Sequence, residues 1–188
     1  MSNGDTRDGP IRVAVVGGES TGKSTLARAL AARLGGALVP EFARDYLLDR
    51  GDAAYPIEES MAIARGQVER ERAVIEAAGP GCGLVVCDSD AMSTVLWSWF
   101  YFERVLPELE ALAEANKHDA YLLCAADLPW EDDGLRRSEG SGAWFERRFV
   151  ETLERWGRPW LRVEGPVDRR VTTATAWLGE RGLRLEPR

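Results

Sequence analysis

A chain of 188 residues with 45% hydrophobic and 29% charged residues has the size and balance of one soluble globular domain with a substantial core. The formal net charge of -7 and a pI near 4.9 leave no basic footprint, and no apolar run reaches membrane-spanning length, so neither nucleic acid nor membrane is an expected partner. Cys82, Cys87 and Cys124 form no C-x-x-C pair and are expected as small apolar residues in a reducing cytoplasm.

Residues 1–10 are polar, glycine-bearing and acidic, unlike a signal peptide, and are expected to be a disordered lead into a single domain over 11–188. The first strand, Ile11–Val16, runs into Gly17-Gly18-Glu19-Ser20-Thr21-Gly22-Lys23-Ser24, and a helical pattern follows to about Leu34. The G-x4-G-K-[ST] spacing between a strand and a helix is that of a phosphate-binding loop. Gly17 and Gly22 let backbone amides close around phosphate oxygens at the positive end of the helix. Lys23 then reaches the β- and γ-phosphates, Ser24 ligates Mg²⁺, and Glu19, Ser20, Thr21 and Thr25 complete the nucleotide-binding set. Of 24 basic residues only two are lysines, and one of them falls where the motif demands it.

Gly35-Gly36 stops the helix, and Ala37–Pro40 reads as a short strand whose carboxyl end delivers the polar cluster Glu41-Phe42-Ala43-Arg44-Asp45-Tyr46 at the start of another helix. Ligands gather at the carboxyl ends of strands in open α/β sheets, so this cluster faces the site. A long amphipathic helix is expected from Pro56 to about Ala78, with Gln67 among its polar positions, ended by Gly79-Pro80-Gly81. The apolar run Gly83–Cys87 terminates in Asp88-Ser89-Asp90, the form of a strand whose final carboxylate holds Mg²⁺. Ala91–Phe102 is rich in aromatics, mostly expected as core, one or two of which can stack on a flat base; Leu106–Ala115 comes next.

Asn116-Lys117-His118-Asp119 spells the guanine-reading N-K-x-D, but it precedes the strand Asp119–Ala125, the wrong end for a ligand; a turn with a surface His118 is expected instead. Residues 127–142 are polar and irregular and read as a lid whose Arg136 and Arg137 close over phosphates. A helix over 143–156, a strand over Pro159–Val163, a turn at Gly165-Pro166 and a last helix from Val167 to about Glu180 complete the chain. The alternation predicts an α/β fold: a five-stranded parallel sheet with helices on both faces and a short lid, similar to P-loop kinases within the P-loop NTPase fold. Two function classes fit, an ATP- and Mg²⁺-dependent small-molecule kinase and a regulatory or motor NTPase; the acceptor-side cluster and the lid arginines favour the kinase.

Taken together, the phosphate loop with Thr25, the Glu41–Tyr46 cluster, Gly66-Gln67, Asp88-Ser89-Asp90 and Pro129-Trp130-Glu131-Asp132-Asp133-Gly134-Leu135-Arg136 resemble, in order and spacing, the ribosylnicotinamide kinase domain of NadR-type proteins. The resemblance covers essentially everything after the first ten residues. It implies transfer of the ATP γ-phosphate to the 5′-hydroxyl of nicotinamide riboside, giving nicotinamide mononucleotide for NAD salvage, and places Arg44, Tyr46, Gln67 and Trp130 near the acceptor. The adenylyltransferase and repressor domains of such proteins have no counterpart in these residues, so adenylyl transfer and repression are not expected. The usual D-T-D appears as Asp88-Ser89-Asp90, and the aromatic segment after it departs from the family pattern.

Phosphoryl transfer passes through a loose transition state, so positioning and charge neutralisation carry most of the rate. Lys23, the loop amides, Mg²⁺ on Ser24 and Asp88, Arg136 and Arg137 are assigned to those tasks. A carboxylate at the end of a strand orients the acceptor hydroxyl and takes its proton: Asp90 or Glu41, with Asp90 favoured. By analogy with other P-loop kinases, adenine is expected near Gly165–Arg169, with Arg169 against the base.

Overall fold

The computed structural model describes residues 9–52, 54–131 and 138–183. Arg136 and Arg137, and the expected disordered lead up to residue 8, lie outside the described residues.

The chain alternates strand and helix: β1 (Ile11–Val16), α1 (Lys23–Leu34), β2 (Ala37–Val39), α2 (Phe42–Arg50), α3 (Glu59–Ala78), β3 (Leu84–Asp88), α4 (Ala91–Phe102), α5 (Pro107–Ala115), β4 (Ala120–Cys124), α6 (Gly142–Arg155), β5 (Trp160–Val163) and α7 (Val167–Glu180). α3 starts three residues later than its apolar pattern suggests, because a turn occupies 56–58. The five strands form one parallel sheet in the order β2-β3-β1-β4-β5.

Strand periodicity explains the layering. Along β1, Val13 and Val15 point to one face, where they pack with Leu26, Leu30, Ala174 and Leu178 from α1 and α7. Ala14 and Val16 point to the other, where Tyr121 and Leu123 join Met92, Leu96, Phe145 and Phe149 from α4 and α6. Val85 and Cys87 of β3 extend that second face beneath α3. With both faces covered the central strands are apolar throughout, the pattern of a buried parallel sheet. Every parallel crossover returns the chain to the amino end of the sheet, so the phosphate loop and the segments after β2, β3, β4 and β5 all emerge at the opposite, carboxyl end.

The N-K-H-D stretch requires a correction. His118 is not a surface residue: its side chain is fully buried, with Nε2 at 3.3 Å from Glu71 and Nδ1 at 3.3 Å from the Tyr121 hydroxyl. The reason is Arg12, at the amino end of β1, around which the whole stretch is wrapped. Its backbone N–H donates to Asp119, its Nη1 to the Lys117 carbonyl, its Nη2 to Asn116 and its Nε to Glu71 at 2.5 Å. The motif is thus a clamp at the end of the sheet away from the phosphate loop. Glu71, Cys87 and His118 bring possible metal-ligating atoms within 4.8 Å of one another, but the cation that answers Glu71 is the guanidinium of Arg12.

Burial alone would raise the Glu71 carboxyl, yet hydrogen bonds from His118 and Arg12 hold it well below the ordinary carboxylate range. A depressed folded pKa means stability that is complete above the unfolded value of about 4.3 and is lost as the pH falls below it. Arg12 is a quarter exposed, which discounts the cost of breaking a buried pair. We expect Arg12→Met to lose about 2 kcal/mol at pH 7 in urea unfolding, and a smaller difference from the parent chain at pH 3.

Candidate active site

Gly17 and Gly22 are needed for distinct reasons. Gly17 has φ 148° and sits where a Cβ would lie 2.9 Å from the Cys124 carbonyl. Gly22 has φ 79° and caps α1, so the first amides of that helix open toward the loop. Inside the loop the Thr21 hydroxyl donates to the Gly18 carbonyl at 2.9 Å, and the Lys23 ammonium donates to the same carbonyl at 2.7 Å. Glu19 accepts hydrogen bonds from the Ser138 N–H and hydroxyl, and Ser20 meets the backbone of Glu131, so two points within the segment 127–142 expected as a lid are fastened to the phosphate loop.

The loop lines a cavity of ≈ 170 Å³. Glu19 through Thr25 line it from the loop and the start of α1, Glu41, Arg44 and Leu47 from the segment after β2, and Tyr55, Ile63, Thr94, Trp97 and Tyr101 from the chain through α3 and from α4. Trp97 and Tyr101 stack at 5.5 Å with an interplanar angle of 19°, and Tyr55 meets Phe102 edge-on. Burial pushes the Tyr55 phenol up to about 12, so it stays a neutral hydrogen-bonding group. The cavity therefore combines an anion-binding loop with flat aromatic side chains, a carboxylate residue and a guanidinium residue in one lining.

Glu41 is held from its backbone. The N–H of Phe42, the first residue of α2, donates to the Gln67 side chain at 2.7 Å, and the Glu41 carbonyl accepts from Arg70. Burial raises the Glu41 carboxyl above the ordinary range; Lys23 and Arg44 pull it down, and Asp88 and Glu19 push it up. Those four neighbours place Glu41 where the phosphate loop, the end of β3 and Arg44 of α2 meet. α2 can lie so near α3 only because Gly66 has no side chain, since a Cβ there would come within 2.2 Å of the Phe42 ring. That ring lies under the Arg70 guanidinium, 4.9 Å away, and has little freedom to retreat. Gly66→Ala is expected to cost about 1–3 kcal/mol, lowering the melting temperature by about 2–10 °C, and to displace Glu41 enough to reduce turnover.

The other expected site residues divide. Asp88 ends β3 with its Oδ1 buried and without a hydrogen-bond partner among the described residues, while Ser24 lines the cavity. This pair of hard oxygen donors beside the phosphate loop fits Mg²⁺. Asp90 does not line the cavity: it caps α4, accepting from the Ser93 N–H and hydroxyl at 3.2 Å, and its other oxygen faces buried His118. Burial raises its carboxyl as well. Tyr46 donates to Glu59 and ties α2 to the start of α3, and Gln67 acts on Glu41 through the Phe42 amide; neither lines the cavity. Trp130 precedes the Glu131–Ser20 contact at the rim, and Arg169 is exposed beside Glu164.

Sequence reasoning missed Tyr55, Thr94 and Arg170. For the aromatic wall a signal existed: Thr94, Trp97 and Tyr101 recur at three and four residues, one stripe of a helix that begins at the Asp90 cap.

The family model described as an AAA domain matches residues 12–170. The trifunctional NAD biosynthesis/regulator protein NadR of Escherichia coli (strain K12) is 32% identical over 158 residues, covering 81% of this chain and 38% of that protein. The protein of the same description from Salmonella typhimurium is 29% identical over 181 residues, 90% of this chain and 43% of that one. The chain thus spans about two fifths of the curated relatives it matches. A crystal structure of NadR protein in complex with NR superposes with TM-score 0.76 at 24% identity, covering 94% of this chain and 53% of that one. Thymidylate kinase from Ehrlichia chaffeensis has the same fold, with TM-score 0.66, 14% identity and coverage of 92% and 100%. Among the described residues no helix is long and apolar enough to cross a membrane.

Proposed function

The chain belongs to the AAA-domain family of P-loop proteins, and we propose that within it the chain is an ATP-dependent phosphotransferase that phosphorylates the 5′-hydroxyl of nicotinamide riboside, yielding nicotinamide mononucleotide and ADP. One observation carries the reading: a single cavity is lined by the phosphate loop, by the stacked Trp97 and Tyr101 and by Glu41. The likeness to NadR, one structure of which is a complex with NR, supports nicotinamide riboside as the acceptor in this reading.

In this reading the loop amides and Lys23 hold the β- and γ-phosphates of ATP. Ser24 and Asp88 would hold Mg²⁺, whose chemistry there would be to neutralise phosphate charge. The aromatic wall receives the flat pyridinium ring, whose positive charge is attracted to the faces of Trp97 and Tyr101. Arg44 reaches the polar part of the acceptor. Glu41 accepts a hydrogen bond from the 5′-hydroxyl, aims its oxygen at the γ-phosphorus and takes its proton as the new P–O bond forms and the bond to the ADP oxygen breaks. Glu41 replaces Asp90 in this role because it faces the cavity, whereas Asp90 is turned into the α4 cap. Arg136 and Arg137 remain candidates for closing over the phosphates.

The test is ATP consumption with Mg²⁺ against a panel of nucleosides and nucleotides, with mass spectrometry of the products. Nicotinamide riboside phosphorylated well above the rest is the expected result. Preference for another nucleoside would leave the phosphotransferase and overturn the acceptor; steady hydrolysis without any acceptor would turn the reading to a regulatory NTPase.

A further inference from the structure

Among the described residues Arg170 is the largest fully buried side chain, at 2% exposed, yet it is an arginine in the first turn of α7 rather than part of the apolar core. A guanidinium is retained in such a place only when it is hydrogen-bonded, and here each of its three nitrogens donates to a different loop at the carboxyl end of the sheet. Nη1 donates to the Thr21 carbonyl at 2.5 Å, Nε donates to the Gly165 carbonyl at 2.8 Å, and Nη2 pairs with Asp127. The second oxygen of Asp127 accepts from the Gly165 N–H at 2.5 Å, so the segments after β1, β4 and β5 are joined through one charged group.

The contact with Thr21 bears on phosphate binding. The Thr21 carbonyl and the Gly22 N–H belong to one planar trans peptide, so they point in opposite directions. While the guanidinium holds the carbonyl on the α7 side, the carbonyl oxygen is kept away from the phosphate position and the N–H is turned toward it. Gly22, at φ 79°, has no side chain to oppose rotation of this peptide, so some other group must fix its orientation. A rotated peptide would present a carbonyl oxygen where an anion has to sit.

We propose that Arg170 is a positioning residue for nucleotide binding, which fixes the Thr21–Gly22 peptide with its N–H toward the phosphates. This rests on the phosphate-loop reading and is independent of which acceptor is used.

The experiment uses the whole chain without any acceptor: binding of a fluorescent ATP analogue with Mg²⁺, thermal melting, and the shift of the Gly22 amide resonance on adding ADP. Arg170→Met, which keeps the stem and removes the donors, is expected to weaken binding about 10- to 100-fold and to abolish most of the Gly22 amide shift in the molecules that remain folded. Arg170→Lys, which returns one donor, is expected to recover part of both. A merely structural role would lower the melting temperature and leave the affinity and amide shift of the folded fraction unchanged, and that result would overturn the proposal. If Arg170→Met fails to fold, Arg170→Lys is read alone: affinity and amide shift both equal to those of the parent chain would overturn it. A parent chain that binds no nucleotide would instead remove the phosphate-loop reading, and this proposal with it.

Discussion

Lys23→Ala reduces phosphoryl transfer by at least about 10²- to 10³-fold, the scale of losing one preorganised cationic group from a charge-stabilising site, while the fold stays intact. The structural cost is small because, among the described residues, the ammonium donates to the Gly18 carbonyl of the same loop, and a bond of that kind contributes about 1 kcal/mol. In a chain of this size that corresponds to a shift of roughly 2–4 °C in the melting temperature. The substitution also acts on a second group. Lys23 is the first of the charges that pull the Glu41 carboxyl down, so its loss raises that carboxyl further. Whatever turnover remains is therefore expected to need a higher pH than the parent enzyme. Steady-state kinetics across pH together with a thermal melt checks both parts, and a folded Lys23→Ala chain with parent turnover would remove the phosphate-loop role.

Much of the architecture is legible in the sequence because its signals are local. Apolar runs of four to six residues ending in Gly or Asp mark the buried strands, and G-x4-G-K-S between a strand and a helix marks the loop. Strand order is not local: nothing in residues 11–16 says that β1 will lie between β3 and β4. The same distinction explains His118. A histidine between a lysine and an aspartate looks solvated, and it is drawn inside by Arg12 and Glu71, both far earlier in the chain. Arg170 escaped notice for the same reason, since two of its partners are in segments far away in sequence. In the acceptor cluster, spacing put the correct elements together but not the roles: Glu41 and Arg44 face the cavity, whereas Tyr46 and Gln67, within the same group of motifs, secure α2 to α3.

Glu41→Gln separates the two candidate bases, and its effect on rate and on stability is expected to have opposite sign. Removing a general base lowers kcat by about 10²- to 10⁴-fold. The base works ionised, and its pKa is raised, by burial first and then by Asp88 and Glu19; in the parent enzyme kcat/KM therefore climbs with pH through a limb above the ordinary carboxylate range, and this limb disappears in Glu41→Gln. The linkage runs the other way from that of Glu71. A carboxyl raised in the folded state binds its proton more tightly there than in the unfolded chain, so stability is complete below the unfolded value and falls as the pH rises toward the folded one. A neutral glutamine escapes that loss, so the variant is expected to melt no lower than the parent at pH 7 and to match it near pH 4. Asp90→Asn, by contrast, keeps an oxygen to accept from the Ser93 N–H and leaves Glu41 in place, so it is expected to retain the acidic limb. The deciding comparison is kcat/KM against pH for both variants at saturating ATP. Loss of the limb in Asp90→Asn together with its survival in Glu41→Gln would return the base to Asp90, and would require α4 to release its cap before the acceptor can react.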